Sequence, residues 1–71
     1  MTEQLSHSDQ EILQKSFSDN TKEELLRKYE LYYHLEDYQN SQKVVQFWQE
    51  KYPHEPFFEQ YKNRVFKYWS I

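Results

Sequence analysis

Residues 21–33, Thr-Lys-Glu-Glu-Leu-Leu-Arg-Lys-Tyr-Glu-Leu-Tyr-Tyr, decide the fold. Thr21 stands three residues before Glu24, the spacing of a capping box. In that box a threonine hydroxyl and a glutamate carboxylate each satisfy a backbone N–H at a helix start. Behind it, Leu25, Leu26, Tyr29, Tyr32 and Tyr33 recur at helical spacing and form one broad apolar face. Leu31 and Leu35 widen that arc. A helix apolar on more than one side is sandwiched between neighbours or meets another chain.

Outward from this helix the chain keeps the same grammar. Upstream, Ser8 and Glu11 offer another cap, and Ile12, Leu13 and Phe17 share a face, so a short helix is expected over about residues 9–17. Ser18-Asp19-Asn20 is a polar break. Downstream, the polar run from Glu36 to Ser41 places a turn near residues 36–38. One uninterrupted helix to Tyr52 is the alternative. The next helix is expected over about residues 39–52, with Val44, Val45, Phe47, Trp48 and Tyr52 as its apolar positions. Pro53 ends it, because the residue before a proline is pushed out of the α region. Pro56 suits the first turn of a last helix reaching Trp69, where a missing N–H costs nothing. On that helix Phe58, Tyr61, Val65, Tyr68 and Trp69 form the expected core stripe, with Phe57 and Phe66 beside it.

Composition agrees. The 71 residues hold seven tyrosines, five phenylalanines, two tryptophans and no glycine. Glycine supplies the positive-φ positions of tight hairpins, so its absence favours helices with simple connections. The expectation is an all-α single domain, a bundle of three or four short helices with residues 1–7 flexible. A chain of this size buries only about 60% of its unfolded surface and is marginal alone. There is no cysteine, hence no disulfide and no thiolate metal site. The start lacks the basic and apolar pattern of a signal peptide, and no stretch approaches the roughly 20 apolar residues of a membrane span. A cytoplasmic location follows as the expectation.

The middle of the chain resembles a tetratricopeptide repeat, a helix-turn-helix unit. Leu25 takes the large apolar position and Tyr32 the aromatic one. Asp37-Tyr38 falls at the inter-helix turn, Ser41 at the small-residue position, Val45 four residues on, and Pro53 at the closing proline. The unit spans residues 22–55. Lys28 stands where the repeat has a leucine, and Tyr29 where it has a glycine or alanine that lets the helices approach. The resemblance implies a protein-binding role and no catalysis.

Charge and chemistry narrow the function. The net charge is −3, with nine acids and four bases before residue 41 and three acids and five bases after it. That balance argues against a nucleic-acid binder driven by bulk electrostatics. His7, His34 and His54 lie far apart, and His34 with Asp37 or His54 with Glu55 are weak ligand pairs. No loop cradles a phosphate, since there is no glycine to build one. The carboxylates of the first long helix read as a solvated face with i,i+4 partners, Glu24 and Lys28 among them. No catalytic residue and no cofactor is expected.

What the sequence offers is aromatic surface. Tyrosine, tryptophan and arginine dominate binding hot spots. The candidate partner-binding residues are Tyr33 on the first long helix and Phe66 on the last, with Lys62 and Lys67 as a charged rim. The expected function is a small non-catalytic adaptor, inhibitor or regulatory protein, self-associating as a homodimer or gaining stability from another protein. The alternative uses the basic-aromatic last helix against nucleic acid or an anionic membrane.

Overall fold

The Thr21 capping box forms as read. The Thr21 hydroxyl accepts the Glu24 N–H at 3.1 Å, and the Glu24 carboxylate accepts the Thr21 N–H at 3.1 Å. The computed structural model describes residues 5–69, with side chains described as far as residue 64. Among these residues four α-helices follow one another: α1 (His7–Gln14), α2 (Lys22–His34), α3 (Tyr38–Lys51) and α4 (Phe57–Trp69), with a 3₁₀ turn at Phe17–Asp19. No strand occurs among them, and no described helix is long and apolar enough to cross a membrane. The architecture is an all-α bundle.

The first helix starts earlier than expected. Ser6, not Ser8, is its cap, accepting the Asp9 N–H at 3.2 Å. Asp9 therefore lies in the first turn, where a carboxylate offsets the helix dipole. Phe17 falls outside the helix, in the 3₁₀ turn.

Two helices, not one, span residues 22–51. Helix α2 closes in a Schellman motif: Glu36 N–H donates to Tyr33 C=O at 3.0 Å and Asp37 N–H to Tyr32 C=O at 2.8 Å. The motif needs one left-handed residue, usually glycine. This chain has none, and Glu36 takes the position with φ 60°. Asp37 then caps α3 through the Asn40 N–H at 3.4 Å and its Nδ2 at 2.7 Å. Helix α3 ends before Pro53, and Glu55 N–H closes a turn onto Tyr52 C=O at 3.0 Å. Pro56 stands one residue ahead of α4, its carbonyl accepting the first helical bond from Gln60 at 3.2 Å.

The core lies between α2, α3 and the start of α4. Leu25, Leu26, Tyr29, Val44, Val45, Trp48 and Phe57 form one buried cluster, with Phe17, Tyr32, Phe47, Tyr52 and Tyr61 packed on its edges. The Trp48 indole N–H donates to Glu55 C=O at 2.6 Å, which ties the α3–α4 connection to the core. Ser41 is buried, and its small side chain turns back to Tyr38 C=O at 2.8 Å. Leu31 is buried as well, whereas Leu35 is exposed.

The register of α4 differs from the sequence reading. Phe57 is wholly buried, while Phe58 is 52% exposed. One residue turns a helix face by about 100°, and the packing of Phe57 against Trp48 and Tyr29 puts Phe57 rather than Phe58 inward. Tyr61, one turn on, stacks with Phe57 at 6.1 Å.

Candidate protein-binding face

Tyr29 is the hub from which the exposed aromatic surface spreads. Its ring meets Phe57 at 4.9 Å, Tyr61 at 5.2 Å, Phe58 at 6.0 Å and Tyr33 at 6.0 Å. Tyr33 in turn meets Tyr38 edge-on at 5.2 Å, across the Schellman turn. Tyr29 itself is buried, but Tyr33, Tyr38 and Phe58 are each 52% exposed, with Leu35 beside them in the turn at 51%. These four are the large apolar side chains left exposed among the described residues. Edge-to-face pairs hold rings in place beyond their buried area, so these exposed rings are fixed by their neighbours.

Burial leaves its mark on the hydroxyls. The Tyr29 and Tyr61 phenols are pushed up, first by desolvation, then by the neighbouring Tyr33 for Tyr29 and by Glu30 for Tyr61. Tyr32 is raised the same way, with Asp37 as the second cause. All three stay neutral across the physiological range, and no buried side-chain polar atom lacks a hydrogen-bond partner among the described residues.

An ion-pair chain fixes the helices that frame the face. The Arg27 guanidinium grips Asp9 on α1 with bonds of 3.1 and 2.9 Å, and it pairs with Glu30 at 2.5 Å. The bidentate grip holds the Asp9 carboxyl below its ordinary range and raises the Arg27 guanidinium further. Arg64 of α4 reaches Glu23 at 2.5 Å and the same Glu30 oxygen at 3.5 Å. A cavity of about 510 Å³ lies beside Asp9 and Arg27, also lined by Leu5, Leu31 and His34. Its charged residues, Asp9 and Arg27, are paired with each other at 2.9 Å.

A second cluster stands behind α2, and here the sequence reading was wrong. Lys28 is not on a solvated face; it is 1% exposed. Its ammonium donates to Lys15 C=O at 2.5 Å and Asn20 Oδ1 at 2.7 Å, and lies 4.7 Å over the Phe17 ring. Desolvation pulls its pKa down. Glu24, freed from Lys28, pairs with Lys15 at 2.9 Å, and that bond lowers the Glu24 carboxyl and raises the Lys15 ammonium. Lys28 therefore fastens the α1–α2 connection to α2.

Of the residues singled out by sequence, Tyr33 lies on the aromatic face. Lys62 is exposed on α4, beside Phe58, Glu59 and Asn63. Phe66 and Lys67, like Val65 and Trp69, lie outside the described side chains. The sequence reading placed Phe58 in the core stripe and did not single out Tyr38, and both are exposed on this face. The signal available for Tyr38 was its place beside a helix cap, where a side chain starts a new helix and need not face the core. No three histidine or carboxylate groups converge as metal ligands would among the described residues. No family model, no curated protein and no solved structure matches this chain.

Proposed function

We propose that the chain is a small non-catalytic binding protein, acting in the cytoplasm, that engages another protein through the Tyr33–Tyr38–Phe58 face. The observation that carries this reading is the set of three half-exposed rings wired through buried Tyr29. Side chains held rigidly and left half in water lose little entropy on binding and have apolar area still to bury. The tetratricopeptide likeness of residues 22–55 agrees with such a role. The basic-aromatic use of α4 against phosphate is less favoured, because Arg64 is engaged by Glu23 and Glu30.

The test pairs affinity capture from the native cell with two classes of variant. Tyr33→Ala with Tyr38→Ala and Phe58→Ala should lose the captured partner while keeping the helical spectrum. Phe57→Ala should instead destabilise the fold by about 3–5 kcal/mol, as large-to-small core changes do. A partner that the triple variant retains at full affinity refutes the face. Sedimentation equilibrium on the same proteins reports whether the partner is a second copy.

A further inference from the structure

Among the described residues some rings carry one of the chain's own cations over them and others do not. Lys22 lies 4.6 Å over Tyr52, Lys28 4.7 Å over Phe17, and Lys51 5.7 Å from both Phe47 and Tyr52. Among the described residues no ammonium or guanidinium lies over Tyr33, Tyr38 or Phe58. Along the chain, carboxylates flank those three rings. Glu36 and Asp37 form the turn between Tyr33 and Tyr38, and Glu59 follows Phe58. Asp37 is engaged by Asn40, but Glu36 and Glu59 are exposed and make no ion pair among the described residues. Lys62, a turn beyond Phe58, is the counter-charge at the far edge.

From this juxtaposition we infer that the face takes an arginine-bearing segment of a partner protein. The inference rests on the binding face proposed above and adds the chemistry of its occupant. An aromatic face attracts a cation through its quadrupole, and a carboxylate attracts it through its charge. Arginine uses both at once: its planar guanidinium stacks on a ring while its fork of N–H donors reaches a carboxylate beside it. The partner's apolar side chains cover Leu35 and the ring edges, and its arginines lie against Tyr33 and Tyr38 with Glu36 as their anion. An anionic membrane or a nucleic acid would meet repulsion from Glu36 and Glu59 at this face.

The probe is a short amphipathic peptide with one leucine face and flanking arginines, beside a matched peptide with glutamate at the flanks. Ring resonances in the NMR spectrum locate binding, and titration calorimetry at two salt concentrations gives affinity. The arginine peptide should shift the Tyr33, Tyr38 and Phe58 rings and bind about tenfold more tightly than the glutamate peptide. Glu36→Lys with Glu59→Lys should erase or reverse that preference. Equal binding of both peptides at these rings overturns the arginine inference and leaves the face standing. Shifts confined to Phe17, Phe47 or Tyr52, or no binding by either peptide, overturn both.

Discussion

Replacing Lys28 with methionine removes one nitrogen from the interior and keeps most of the side-chain volume. Two oxygens lose their donor: Asn20 Oδ1, on a buried residue, and Lys15 C=O. A buried acceptor left unsatisfied costs about 1–3 kcal/mol. Against this, methionine escapes the desolvation that a buried ammonium suffers, a penalty of several kcal/mol that its two short bonds and the Phe17 ring offset. The acceptors remain after the substitution, so the net expectation is a loss of about 2 kcal/mol. The pH dependence sharpens the test. Burial lowers the Lys28 pKa in the folded state, so the folded protein binds fewer protons than the unfolded chain between that lowered value and the ordinary one near 10.4. Stability from this group therefore rises with pH through that window. The neutral amine still donates to both oxygens. Urea melts followed by far-UV circular dichroism, from neutral pH to just below the tyrosine range, should show the rise in the native protein and a flat profile in Lys28→Met. A variant as stable as the native protein, with an unchanged pH slope, would refute the account of Lys28 as the fastener of the α1–α2 connection.

Two further outcomes are expected. Glu36→Gly should stabilise the fold by about 0.5–1 kcal/mol, since glycine takes φ 60° without a Cβ clash; a melt that shows a loss would count against the left-handed turn. On acidification, stability should fall as Asp9 and Glu24 protonate: both carboxyls are lowered in the folded state, so their contribution is complete above about pH 5 and is lost as pH drops through the lowered values. Asp9→Asn should flatten part of that acid limb in a pH series of thermal melts.

What could be read from sequence was whatever is decided within one turn of helix. The Thr21–Glu24 box forms because both partners belong to the same four residues, and Pro53 closes α3 because its ring acts on its immediate predecessor. The misreadings share the opposite property. The first helix is capped by Ser6 rather than Ser8, and its Asp9 meets Arg27 eighteen residues away, a contact no local spacing reveals. Phe57 and Phe58 each start a helical stripe that includes Tyr61, and a tertiary contact, Phe57 against Trp48 and Tyr29, decides between them. Lys28 looked solvated because its charge suggested Glu24. Its position three residues after Leu25 and three before Leu31 placed it among apolar neighbours, but the oxygens that receive it come from a connection whose path no local rule fixes.

The Schellman turn ties the fold to the proposed function. Without glycine, this chain accepts the left-handed position at a residue that carries a Cβ, at a cost of about 1 kcal/mol. A strained position is retained where the surrounding structure over-determines it and where its side chain has a use. Here the side chain is an exposed carboxylate on the turn that joins two half-exposed tyrosines, Tyr33 and Tyr38, whose rings meet at 5.2 Å. Glycine would make a better turn and a poorer site for a guanidinium. Glu36→Gly should therefore separate the two properties, raising the melting temperature while weakening the arginine peptide. A variant that gains stability and keeps its full preference for arginine over glutamate would show that the Glu36 carboxylate takes no part in recognition, and would move the anionic role to Glu59.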